Sequence, residues 1–288
     1  MTSIGASFPF EITSGKKRLL LDRPRIMGIL NLTPDSFFDG GKYALSEAVA
    51  INRVKEMVQQ GADIIDIGAA SSRPGASIID PKEEQDRLLP FLLAIREALP
   101  EVWISVDTYH SSTARKCLEA GVDLINDISG GGIDSDLFTV LGEFKVPYIL
   151  MHMKGVPGNM QTSPQYENLL SEMSHFFKTK IDELKTFGVE SIILDPGFGF
   201  GKTLEHNYTL LKNLSQFQTE FNLPVLVGLS RKSMINKVIG TKPEDALNGT
   251  TALHMIALLN GAHILRVHDV KEAYQTIQLF EQYKQVLH

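Results

Sequence analysis

The chain has 288 residues, with 43% hydrophobic and 22% charged, a balance that supports a soluble globular fold with a sizeable core. A formal net charge of −6 argues against nucleic acid or an anionic membrane as partner, so an anionic substrate needs a local cluster of cations. One cysteine, Cys117, excludes an intrachain disulfide and a cysteine-built zinc site, and fits a reducing compartment.

The opening MTSIGASFPFEITSGKKR lacks a basic-then-apolar leader pattern, and no apolar run of about 18 residues occurs in the chain; a cytoplasmic location is expected. Residues 4–23 set short apolar groups around Ser14-Gly15-Lys16-Lys17, the pattern of a β-hairpin ahead of the main fold. A regular alternation then begins. Apolar strands are predicted at 26–31, 64–68, 102–107, 123–128, 146–151, 192–195, 224–229 and 262–267. Helical patterns are predicted near 45–60, 81–98, 112–120, 134–143, 166–187, 204–218 and 244–259, with a last helix starting at Asp269. Asp80 with Pro81 and Glu83, and Asp269 with Glu272, each read as an N-cap with a capping-box partner.

Near-continuous apolar strands indicate a parallel sheet covered on both faces. Eight such units in about 260 residues predict a single α/β domain over 1–288, a (β/α)8 TIM barrel at about 25–286 preceded by the hairpin at about 4–23. An open doubly wound sheet is the alternative.

The strand ends carry the chemistry. In order they are Asn31, Ser71-Ser72-Arg73, Asp107, Asn126, His152, Asp195, Ser230-Arg231-Lys232, and Arg266 with His268. In a barrel these ends converge on one face, where the active site lies. Caps alone would be served by Ser, Thr, Asp and Gly; arginine, lysine and histidine there point to anion binding. Gly201-Lys202-Thr203 mimics the end of a phosphate loop, but position 196 is Pro where that motif needs Gly, and Gly197/Gly199 lack the third glycine of a dinucleotide fingerprint, since position 202 is Lys. Cys117 and His254 lie in apolar helical patterns and read as packing residues. Phe37, Phe38, Phe198 and Phe200 sit in glycine-containing mouth loops and favour a flat aromatic ligand.

Eight segments carry a family resemblance: NLTPDSFFDGG (31–41), SSRPGA (71–76), VDT (106–108), INDISG (125–130), LMHMKG (150–155), LDPGFGFGKT (194–203), GLSRKSM (228–234) and RVHDV (266–270). One per strand end and in the same order, they resemble the successive signatures of dihydropteroate synthase. The resemblance implies condensation of 6-hydroxymethyl-7,8-dihydropterin diphosphate with 4-aminobenzoate to 7,8-dihydropteroate and pyrophosphate in folate synthesis. It also implies a Mg²⁺ cofactor, a homodimer and inhibition by sulfonamides. It assigns pterin binding to Asp107, Asn126, Met151, Asp195, Gly228 and Lys232. Diphosphate binding falls to Asn31, Ser72, Arg266 and His268, with the metal on Asn31. Aminobenzoate binding falls to Ser36, Phe37, Arg73, Pro74, Phe200, Ser230 and Lys232. The residues implied in catalysis are Asp35, Arg73, Lys232, Arg266 and His268. Ser72 departs from the threonine usual in the family but keeps the hydroxyl. Two further readings of a similar pocket are a methyltetrahydrofolate–corrinoid protein methyltransferase and a non-catalytic pterin-binding paralogue.

Overall fold

The computed structural model describes residues 5–6, 9–32, 46–70, 79–155, 160 and 164–286. The chain begins with an antiparallel hairpin, β1 (Phe10–Ser14) and β2 (Lys17–Leu21). Eight parallel strands follow: β3 (Arg25–Asn31), β4 (Ile64–Gly68), β5 (Trp103–Asp107), β6 (Leu124–Asp127), β7 (Tyr148–Met151), β8 (Ile192–Asp195), β9 (Leu226–Val227) and β10 (Ile264–Val267). Their order is β8-β7-β6-β5-β4-β3-β10-β9. The seam between β8 and β9 is closed by the Leu194–Val225 bridge and by the Leu194 N–H donating to Pro224 O at 2.9 Å. The expected barrel with its leading hairpin is therefore the observed fold, and the open sheet is excluded.

The helices are α1 (Glu47–Gln59), α2 (Pro81–Ala98), α3 (Ser111–Glu119), α4 (Leu137–Phe144), α5 (Leu169–Thr186), α6 (Leu204–Lys212), α7 (Leu214–Phe221), α8 (Ser233–Ile239), α9 (Leu247–Leu259) and α10 (Val270–Gln285). Several expectations need correction. The helix expected over 204–218 is two helices meeting at Asn213, whose amide donates to the Thr209 carbonyl. The segment expected to run from 244 begins at Leu247, after α8 and a 3-10 turn at Pro243–Asp245 that the hydrophobic pattern did not separate. Asp80 does cap α2, accepting from Lys82 N and Glu83 N, but the Glu83 side chain pairs with Arg87 one turn on rather than closing a box. Asp269, by contrast, makes no cap bond; its carboxylate is taken by Arg231.

Strand periodicity explains how the barrel fills. Side chains two apart on a strand share a face. One buried apolar residue per strand (Met27, Ile64, Trp103, Leu124, Ile149, Ile193, Leu226 and Ile264) forms a cluster of its own, joined by Ile12 and Leu21 of the hairpin. The hairpin is thus the plug on the barrel floor. Lys17 and Arg96 tie it to the base by sharing Asp123, at 3.2 and 2.6 Å. The alternate residues, Ile65, Ile67, Ile104, Val106, Ile125 and Leu150 among them, join the larger core under the helices. Two residues on from the floor layer the same inward face turns polar: Asp66, Ser105, Asn126, Asp195 and Arg266. A further step leads to Asn31, Asp107, Ser230 and His268.

Candidate active site

The barrel interior above the floor holds one connected ionic network. Arg266 on β10 donates from Nε to Asp66 Oδ2 on β4 at 2.7 Å and from Nη2 to Asp107 Oδ2 on β5 at 2.9 Å. Asn126 on β6 donates from Nδ2 to the same Asp66 oxygen at 3.0 Å. Four strands are linked by three hydrogen bonds. Burial pushes the Asp107 carboxyl up to about 7, with Arg266 opposing that shift and Asp66 adding to it.

The turn after β8 supplies the second part. Asp195 ends the strand, buried, and accepts from Gly197 N at 2.7 Å. Burial raises its carboxyl above the usual range, and the nearby Lys232 ammonium is the largest effect pulling it back. Gly197 and Gly201 adopt φ of +67° and +62°, and a Cβ there would stand 2.1 and 2.3 Å from the carbonyls of His152 and Lys154. Only glycine lets the turn lie so close to the β7 loop. Lys202 then points back beneath the turn, donating to Gly197 O at 2.9 Å, Phe200 O at 3.0 Å and His152 O at 3.2 Å. The glycine and lysine pattern that mimics a phosphate loop is therefore an ammonium holding its own turn.

Lys232, after β9, donates to Phe198 O and stands 4.6 Å from the Phe200 ring centroid. Burial lowers its pKa to about 8, against the opposing pull of Asp195. Phe200 packs with Tyr109, Ile128, Met151 and Met160, a small apolar cluster separate from the main core. That cluster gives one wall fit for an aromatic ring. Phe198, expected at the mouth, is instead buried in the main core and only its carbonyl serves the site. Among the described residues, a Cβ built on Gly228 would come within 4 Å of the Lys232 ammonium alone, at 3.9 Å.

Ser230 Oγ lies 3.0 Å from His268 Nδ1 and accepts from His268 N at 3.2 Å. Burial first, then the Arg266 and Arg231 charges, bring the His268 pKa down to about 4. His268 is therefore neutral at pH 7. Arg266 is shared by two carboxylates. Burial and close carboxylates thus set the charge balance around both groups. Arg231 holds a left-handed backbone, φ 58°, with its guanidinium in a two-point pair with Asp269 at 3.0 and 2.6 Å. Asn31 ends β3, with its Oδ1 3.9 Å from the position a Cβ would take on Gly68.

The structure thus brings together Asn31, Asp107, Asn126, Met151, Asp195, Phe200, Gly228, Ser230, Lys232, Arg266 and His268 on strand ends or the turns that follow them. Asp35, Ser36, Phe37, Phe38, Ser72, Arg73 and Pro74 lie outside the described residues. His152 is no mouth catalyst. It is buried, its ring edge-on to Phe176, and burial lowers its pKa to about 2. Sequence reasoning missed Asp66 and the inward turn of Lys202. The signal for Asp66 was available: one carboxylate inside the otherwise apolar strand Ile-Ile-Asp-Ile. Cys117 is buried, with burial raising its thiol to about 12, and is a packing residue as expected. His254 is buried too, but its Nε2 has no partner among the described residues.

Comparison with known proteins gives a consistent picture. The family described as pterin binding enzyme matches residues 27–268. The chain is 43% identical over 263 residues to dihydropteroate synthase of Escherichia coli strain K12, covering 91% of this chain and 92% of that one. It is 46% identical over 256 residues to the Synechocystis enzyme of the same name, covering 88% of each. Among solved structures, Yersinia pestis dihydropteroate synthase in a sulfonamide drug complex superimposes with a TM-score of 0.90 at 40% identity, over 96% of this chain and 100% of that chain. The Xanthomonas albilineans enzyme with 4-aminobenzoic acid gives 0.88 at 34% identity, over 96% and 99%.

Proposed function

Since the chain belongs to the dihydropteroate synthases of the pterin-binding enzyme family, we propose a division of labour among its residues for that family's condensation. The reaction joins the pterin methylene carbon to the aminobenzoate nitrogen and releases pyrophosphate. A corrinoid methyltransferase and a non-catalytic paralogue are set aside, because the similarity to synthases spans nine-tenths of the chain.

The pterin edge carries paired N–H donors, and Asp195 offers carboxylate oxygens to them from a buried position. Asn126, with Nδ2 committed to Asp66, presents Oδ1 as an acceptor. Asp107 and Met151 border the same space, and Lys232 stands between the Asp195 carboxylate and the Phe200 ring. The observation that carries this reading is the adjacency of a pterin-reading carboxylate and an aromatic wall, joined by one lysine. Loss of diphosphate can run ahead of amine attack, because the electron-rich pterin stabilises a cation at the methylene carbon. Catalysis then asks for charge stabilisation at the leaving group and orientation of a weakly basic amine, more than for proton transfer. Ser230 and His268 supply hydrogen-bond donors on the diphosphate side, and Asp35, Ser36, Phe37, Ser72, Arg73 and Pro74 are assigned by resemblance to closing the mouth over aminobenzoate and diphosphate.

Asn31 is the metal candidate. Mg²⁺ prefers oxygen ligands and often takes one or two from protein while keeping water and substrate phosphates. A lone amide oxygen at a strand end, beside the side-chain-free Gly68, fits that demand. Magnesium held by Asn31 and the substrate would neutralise diphosphate charge. We also place the protein in the cytoplasm as a homodimer; Leu247 and Ile256 of α9, 36% and 41% exposed, supply an apolar face for a second copy, while Leu253 of the same helix is buried.

The test is direct. Purified protein with the pterin diphosphate, 4-aminobenzoate and Mg²⁺ should release pyrophosphate and form dihydropteroate, with sulfonamide competing against aminobenzoate. Absence of an aminobenzoate-dependent product would overturn the assignment. Light scattering at micromolar concentration checks the dimer.

A further inference from the structure

Asp66 occupies the interior of β4, fully buried, one inward step above the floor isoleucine, Ile64. Burying a carboxylate costs several kcal/mol unless close partners compensate. Its partners are Arg266 (Nε at 2.7 Å, Nη2 at 2.6 Å) and Asn126 Nδ2 at 3.0 Å, all on the single oxygen Oδ2. Oδ1 has no hydrogen-bond partner among the described residues. A residue kept only to fill this volume would carry neither the charge nor the bare oxygen.

We propose that Asp66 is a positioning residue for pterin recognition: it locks the Asn126 amide with Nδ2 inward and Oδ1 toward the ligand, and with Asp107 it neutralises Arg266. The proposal deepens the synthase reading and rests on it. An asparagine amide is nearly symmetric in shape, so without a fixed acceptor on one side it can flip and set a donor against the pterin's own donors. Asp66 removes that choice, because a carboxylate accepts and cannot donate. One oxygen also serves Arg266, so the amide and the guanidinium are placed by the same atom. Two carboxylates on one guanidinium leave this part of the site with no net positive charge. Arg266 thereby also acts as a spacer that keeps Asp66 and Asp107 apart. The effect of Asp66 on the Asp107 carboxyl supports this shared network.

Two substitutions separate the roles. Asp66→Asn keeps an accepting oxygen but loses the charge; Asp66→Leu fills the space and accepts nothing. Asp66→Leu should raise KM for the pterin diphosphate at least about tenfold, with KM for aminobenzoate nearly unchanged. Asp66→Asn should lose less pterin affinity than Asp66→Leu, because it keeps one accepting oxygen, and should move the acidic limb of kcat/KM to lower pH, since Asp107 loses a neighbouring negative charge. Equal behaviour of the two variants, or parallel rises in both KM values, would overturn the proposal. If Asp66→Leu does not fold, the wild-type protein still decides. The Arg266 Nε–H should exchange slowly by NMR before and after pyrophosphate is added, and rapid exchange in the free protein would refute the lock. Wild-type turnover tests the synthase reading separately, since it does not depend on either variant.

Discussion

Nζ of Lys202 lies 3.0 Å from Nδ1 of His152, with both side chains buried behind the turn that follows β8. The same ammonium donates to three backbone carbonyls, at Gly197, Phe200 and His152. Burial lowers its pKa to about 7, with Asp195 opposing and Lys232 reinforcing that shift. Even without its third proton the amine keeps two for these acceptors. Lys202→Met leaves them bare, and each unsatisfied buried acceptor costs about 1–3 kcal/mol before relaxation. Urea denaturation should show a net loss of about 3 kcal/mol, and a loss below about 1 kcal/mol would remove Lys202 as the anchor of the turn.

Activity should be confined to a narrow pH band. Lys232 works as a cation, and its proton leaves above about 8, so kcat/KM for the pterin substrate falls as pH rises through that value. Asp107 accepts hydrogen bonds as the ionised group, which forms above about 7, so kcat/KM rises through that value. Lys232→Met should weaken pterin-substrate binding, lower activity and abolish the alkaline limb while the acidic limb remains. A retained alkaline limb near 8 would assign it to another group.

His268 should titrate far from an ordinary histidine. Its pKa of about 4 in the free protein means that the neutral ring meets the diphosphate. A bound anion favours the charged form and raises that pKa, so pyrophosphate affinity should increase as pH falls toward 4. Two-dimensional NMR of the ring protons, with and without pyrophosphate, measures both values. A free-protein pKa near 6.5 would show that the ring is not desolvated as described.

The floor should be separable from the mouth. Leu21 of the hairpin is fully buried against the inward isoleucines. Leu21→Ala creates a cavity there and should cost about 2–5 kcal/mol of stability. Well below its melting temperature the variant should keep wild-type kcat/KM, because the polar layer sits on the opposite side of the apolar one. A fall in kcat/KM without unfolding would show that the hairpin positions the site as well.

The sequence by itself determined the barrel, the hairpin and the set of strand-end residues. It did so because strand alternation is local: an apolar residue at one inward position and a polar one two further on are properties of a few consecutive residues. It also sufficed to reject the phosphate-loop motif at Pro196, since that motif is defined residue by residue. Pairing was not legible. Asp269 reads as a cap because aspartate before a helix commonly is one, yet Arg231, distant in sequence, captures it. Asp66 reads as an isolated charge until Arg266, two hundred positions later, closes on it across the barrel. Charge state was equally out of reach, because it depends on burial and on neighbours brought from other strands. Only the tertiary structure made His268 neutral, moved Phe198 into the core, and turned Lys202 from an apparent phosphate ligand into the ammonium that holds its own loop.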